Sequence, residues 1–158
     1  MRKNNQGYGE VTTKLLSDEL SIEEKEALFK SRKATRQNFS DLFDALCETA
    51  KPKKITAGMI EARVGKNAIS RYKAGGRKAK RSTIIEICFA LRQEGATVTA
   101  DDINAMLEIF DKRRLNSYSS ADFYVTIAVS ESMNLDELTA LLYEKGCELS
   151  DLDKPEIF

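Results

Sequence analysis

No histidine occurs in the 158 residues, and cysteine appears three times, at Cys47, Cys88 and Cys147. Without a CxxC pair or an imidazole, the ligand sets of structural zinc sites are missing, so no metal is expected. The same absence removes the usual general base. No glycine-rich phosphate loop follows a strand, and no cysteine has a base, so an enzyme is the poorest reading and no catalytic residue is assigned. The acidic pairs Asp101-Asp102 and Asp136-Glu137 fall at helix starts, where they stabilise the dipole. The cysteines stand far apart among apolar residues, as small core hydrophobes of a reducing compartment. There are only two prolines and eight glycines, which permits long helices. No apolar run approaches the roughly 20 residues that span a bilayer. The opening stretch, MRKNNQGYGE, lacks the apolar core of a secretion signal. The expectation is a cytoplasmic protein with no membrane and no cofactor.

Charge of both signs is abundant, and its total of zero hides a division. Residues 1–50 carry a net −1, residues 51–81 a net +10 and residues 82–158 a net −9. Glu61 is the one acid in the middle block. A short stretch of that charge needs a counter-charge, and nucleic acid is the usual one. Pairing with the acidic half, in the same chain or a second copy, is the competing explanation.

Helix signals run along the whole chain. Ser21 with Glu24 is a capping box that opens a helix to about Lys33, after a first dozen residues expected to be disordered. Ser40 opens the next, with Leu42, Ala45, Leu46 and Thr49 on one face, and Pro52 stops it. Thr56 caps a short helix to about Arg63, with Ile60 and Val64 facing in. Gly65 makes a tight turn, Asn67 caps a second short helix from Ala68 to Ala74, and Gly75-Gly76 ends it. Ile69 and Tyr72 point inward. Ser82 caps an amphipathic helix with Ile84, Ile87, Cys88 and Leu91 on its inner face, ending at Glu94-Gly95. Thr99 with Asp102 opens another, carrying Ile103, Met106, Leu107 and Phe110. Ser119 or Ser120 opens a helix apolar almost all round (Phe123, Tyr124, Val125, Ile127, Ala128, Val129), which is expected to be buried. Asn134 with Glu137 caps the last, with Leu135, Leu138, Leu141 and Leu142, and it stops at Gly146. The segments from Thr99 and Asn134 echo each other, sharing Asp101/Asp136, Ala105/Ala140 and Leu107/Leu142. Two similar capped helices account for that as well as a repeat does.

Short helix, glycine turn, short helix and basic loop is the helix-turn-helix pattern. The second helix would enter the major groove with its N-terminal residues at the base edges. Those are Lys66, Asn67, Ala68, Ser70 and Arg71. Arg71 suits guanine, and Asn67 suits adenine unless its amide is used as the helix cap. Thr56, Lys73, Arg77, Lys78, Lys80 and Arg81 are the candidates for phosphate, which holds the protein without reading sequence. Any one of these cations alone would be an ordinary solvated side chain.

Residues 55–91 resemble the phage-repressor-like (XRE, Cro-type) helix-turn-helix family. The likeness lies in Ile69-Ser70-Arg71-Tyr72, Gly75-Gly76-Arg77, Ser82-Thr83-Ile84-Ile85 and the run from Ile87 to Leu91. Residues 98–149 look like the tail of a bacterial subgroup: a helix like Asp101–Leu107, a Ser-x-x-Asp segment at Ser119 to Asp122, and a second such helix at Asp136–Gly146. The interval from Gly65 to Ile69 is shorter than the family's usual spacing. The resemblance implies a repressor-like five-helix domain whose recognition helix opens at Ile69-Ser70.

The expectation is therefore an all-α protein in three parts: an N-terminal arm and helix (1–37), a helix-turn-helix DNA-binding domain (38–115) and an acidic helical extension of two helices (116–158). Its expected function is sequence-specific binding of double-stranded DNA as a transcriptional regulator, a homodimer of bacterial or phage origin acting at the nucleoid. The alternatives are an interaction adaptor that meets a protein partner through its acidic half, and an RNA-binding protein. Against RNA stands the shortage of stacking aromatics, Tyr72 being the only one in the basic block.

Overall fold

The computed structural model describes residues 21–24, 26, 39–50 and 54–154. Among them are seven α-helices, a closing 3-10 turn and no strand, so the fold is all-α. The helices are α1 (Phe39–Glu48), α2 (Ala57–Val64), α3 (Ala68–Lys73), α4 (Arg81–Gln93), α5 (Ala100–Ile109), α6 (Ser120–Ser130) and α7 (Leu135–Glu144), and the turn is Leu149–Asp153. None is long and apolar enough to cross a membrane among the described residues. Ser21 and Glu24 exchange the two hydrogen bonds of their capping box. The rest of that helix, the expected disorder at the start and the Pro52 stop lie outside the described residues.

The start signals at Thr56, Thr99 and Asn134 act as expected. In each, the side chain accepts the N–H three residues on, and that third residue's side chain accepts the cap's own N–H. At Thr56 the returning acceptor is the Met59 sulfur. Other caps differ, and Ser119 makes no side-chain cap bond. Asn67 sits in the left-handed region (φ 61°) and makes no capping bond. Helix α4 begins one residue before Ser82, whose N–H and hydroxyl both donate to Asp153 (2.7 and 2.8 Å). The cap of the central helix is thus a carboxylate from the far end of the chain.

Helix α1 is rotated relative to its expected face. Phe39, Phe43, Leu46 and Ala50 are buried, while Ala45 and Thr49 are exposed and Leu42 is half-buried. Phenylalanine removes far more apolar area from water than alanine or threonine, so the Phe39–Phe43 edge takes the inner position. It builds an aromatic knot: Phe39 stacks on Phe43 at 5.7 Å, and Phe39, Tyr72 and Phe110 meet edge to face at 4.9–5.7 Å.

Helices α4 and α6 differ from expectation in opposite directions. The sequence suggests one inner face for α4, yet Ile84, Ile85, Ile87, Cys88, Phe89, Ala90 and Leu91 are all inaccessible. Helices α2 and α5 pack on it, and so do α7 and the 3-10 turn. Helix α6, expected to be buried all round, buries only Ala121, Asp122, Val125 and Ala128. Phe123 is 42% exposed, and Tyr124, Ile127 and Val129 are half-buried. Hydrophobic composition alone does not distinguish the helix at the centre from one at the edge. The result is a single core cluster extending from Phe39 to Leu152, across the 115/116 boundary.

Candidate nucleic-acid interface

Helix α2 ends at Gly65, whose backbone (φ 135°, ψ 143°) is open to glycine and strained for other residues. After two more residues the chain turns into α3. Two side chains, Ile69 (0% exposed) and Tyr72 (2%), fix α3 to the core, the latter through the aromatic knot. At the far end, Gly75 and Gly76 N–H groups return to the Tyr72 and Arg71 carbonyls at 3.1 and 2.9 Å, the Schellman closure of a helix. A Cβ on Gly76 would lie 3.0 Å from the Arg71 carbonyl oxygen, so a larger residue there would disturb the closure.

The start of α3 is held by Glu61. Its Oε2 accepts the N–H groups of Ile69 (2.9 Å) and Ser70 (3.1 Å) and lies 3.4 Å from the Ser70 hydroxyl. The one acid of the basic block therefore caps α3 from the preceding helix, a role that sequence spacing did not reveal. Because Glu61 supplies the cap, the Asn67 amide is not used for it, and Asn67 stands exposed at the turn.

Of the base-contact candidates, Lys66, Asn67, Ser70 and Arg71 are exposed around the outer side of the turn and α3. The Arg71 guanidinium lies 5.6 Å from the Tyr72 ring centroid. Ala68 is the exception. At 3% exposure it packs into the core, so it cannot meet a base edge. The phosphate candidates also divide. Lys78 and Lys80 are exposed in the loop after α3. The Thr56 hydroxyl accepts the Met59 N–H while remaining at the surface. Lys73 pairs with Asp44 at 2.7 Å and lies over the Phe43 ring. Arg77 donates to the Tyr72 and Gly76 carbonyls (2.9 and 2.7 Å) and lies over Phe110, so it braces the end of α3.

Arg81 is removed from the phosphate set altogether. Only 3% exposed, it forms a two-pronged pair with Asp122, with Nη1 to Oδ1 at 2.8 Å and Nη2 to Oδ2 at 2.6 Å. Its remaining donors go to the carbonyls of Arg113, Arg114 and Leu152. An arginine at the end of a basic run looks solvated in sequence. Its partner, Asp122, lies in a different helix.

The cysteines are free. Cys88 is fully buried, and burial pushes its thiol pKa up. Cys47 and Cys147 are only half-buried, at the margin of the core. Among the described residues no group of acids and cysteines could hold a metal ion.

No protein-family model matches the chain, and neither a curated protein nor a solved structure is significantly similar to it.

Proposed function

We propose that this protein binds double-stranded DNA in a sequence-specific way and regulates transcription, as a repressor of phage or mobile-element type. In this reading α1–α5 form a repressor-like domain, with α2 and α3 as its helix-turn-helix. One observation carries the proposal: α3 is fixed from inside by Ile69 and Tyr72, and the outer side bears Lys66, Asn67, Ser70 and Arg71, followed by Lys78 and Lys80. An α-helix with its side chains is about 10–12 Å across, which fits a major groove about 12 Å wide. Arg71 would take guanine through two parallel hydrogen bonds, and Asn67 would take adenine. Lys78 and Lys80 would hold phosphates and set the register.

The half with net charge −9 would be repelled by DNA and so would face away from it. There it would join two copies, placing two α3 helices about 34 Å apart, one turn of the duplex. The site of action would be the nucleoid of a bacterial cytoplasm. Exposed Tyr118, Phe123 and Tyr143 in that half favour a second reading, in which it docks another protein.

A gel shift decides between them, using duplex from upstream of the gene with random DNA and RNA as competitors. The upstream duplex should withstand both. With about six phosphate contacts, affinity should fall roughly 10³-fold between 50 and 200 mM salt. A flat salt response would favour the adaptor.

A further inference from the structure

The half after Arg81 contains six cations, and three are consecutive: Lys112-Arg113-Arg114. In the structure this tripeptide lies against the end of the basic loop. Arg81 donates from Nε to the Arg113 carbonyl (3.1 Å) and from Nη2 to the Arg114 carbonyl (3.0 Å). On either side, the Leu107 carbonyl holds the Lys112 N–H (2.9 Å) and the Asn104 amide oxygen holds the Leu115 N–H (2.8 Å). The backbone of the tripeptide is therefore fixed before any ligand arrives. Lys80, from the basic loop, then shares with Lys112 and Arg113 an open cleft of about 470 Å³.

Two carboxylates also line this cleft, Asp111 and Asp153. Asp153 is turned onto the N–H and hydroxyl of Ser82. Arg113 donates to the Lys154 carbonyl, which explains it as a brace for the end of the chain. That explanation does not extend to Lys112, which is half-exposed and makes no ion pair among the described residues. A lysine without an ion pair among the described residues, lining the same cleft as another lysine, has the makings of an anion site.

We propose that this cleft extends the phosphate-contact surface for duplex DNA, with Lys112 gripping the backbone beside Lys80 of the loop before α4. The inference rests on the DNA-binding reading, and it makes Lys112, at the end of the proposed DNA-binding part, the exception in a half that otherwise faces away from DNA. Phosphate contacts fix position and orientation on the duplex without reading its sequence.

The test uses the full chain and follows the affinity for the upstream duplex and a random duplex as salt is varied. Each phosphate contact contributes about 0.9 to the slope of log affinity against log salt. Lys112→Gln should flatten that slope by about 0.9 and weaken both duplexes by the same factor. Lys112→Arg should keep the wild-type slope, and so should Lys145→Gln at the end of α7. If Lys112→Gln retains the full slope while wild type binds steeply, the cleft proposal is overturned and the DNA reading stands. If Lys112→Gln weakens the upstream duplex alone, the phosphate role is also overturned. If wild type shows no salt-dependent DNA binding, both readings fall together.

Discussion

Arg81 and Asp122, 41 residues apart in sequence, meet in the interior as a two-pronged ion pair whose side chains are 3% and 1% exposed. All five guanidinium N–H groups are used, and Asp122 accepts a further N–H from Asn116 at 2.9 Å. Taking two charges out of water costs several kcal/mol each, which only such complete pairing offsets. The pair ties the start of α4 to α6 and to the 112–116 loop. The first half of the Ser-x-x-Asp segment, Ser119, makes no side-chain cap bond, whereas its Asp122 is the anchor.

Removing one partner should strand the other. Arg81→Ala is expected to destabilise the protein by about 3–5 kcal/mol, read from the midpoint of urea unfolding. Replacing both charges with apolar residues of similar volume, Arg81→Met with Asp122→Leu, should recover most of that loss. A single-mutant cost below about 1 kcal/mol, the range of an exposed pair, would show that the interior is wetter than the geometry implies.

Ending the chain after Leu115 should abolish cooperative unfolding. The cut removes α6, α7 and the 3-10 turn, so it uncovers one side of α4, leaves Arg81 without Asp122 and takes Asp153 from Ser82. Circular dichroism should retain some helix with no sharp thermal transition, and a dye for exposed apolar surface should bind. A sharp transition in the fragment would mean that residues 38–115 fold by themselves.

On the proposed reading, Arg71 and Lys78 should behave differently. Arg71→Ala should cost roughly 1–3 kcal/mol and relax preference at one base pair, and Lys78→Ala should weaken all duplexes alike. Binding selections over a randomised duplex measure both effects. Equal losses on specific and random DNA from both substitutions would overturn the placement of α3 in the groove.

The thiols offer a probe of the core. Burial raises the pKa of all three cysteines, Cys47 to about 11, with Asp44 adding to the rise there. A raised pKa means that the folded protein retains thiol protons which the unfolded chain releases above its ordinary value near 8.5. Their contribution to stability is therefore full below that pH and is lost as pH rises towards the folded values. At pH 8 a thiol reagent should modify Cys147 first and Cys88 only on unfolding. Rapid labelling of Cys88 in the native protein would contradict its burial.

How much of this was legible in the sequence depended on the range of the interactions. Local signals were reliable: Thr56, Thr99 and Asn134 cap helices because a cap needs only the next three residues. The inner residues Ile60, Ile69, Tyr72, Ile103 and Leu138 were legible from spacing. What required a distant partner was not. Asn67 read as a cap because nothing local shows that Glu61 would reach back to the start of α3. Ala68 and Arg81 read as contacts because their burial depends on packing against other helices. The rotation of α1 was hidden for a similar reason, since its face is chosen by Tyr72 and Phe110. The exposed candidates Lys66, Ser70, Arg71, Lys78 and Lys80 come from composition and position, and both remain visible at the surface.

The cap that Asp153 places on α4 also bears on how the chain is made. Ser82 and its acceptor are separated by 71 residues. At about 5–20 residues per second, a ribosome takes roughly 4 to 14 s to add them. Through that interval the most deeply buried of the described helices has neither its final cap nor its outer covering. A nascent chain in this state is open to sticking to its neighbours. The central helix therefore waits for a segment made 71 residues later before its first turn is capped.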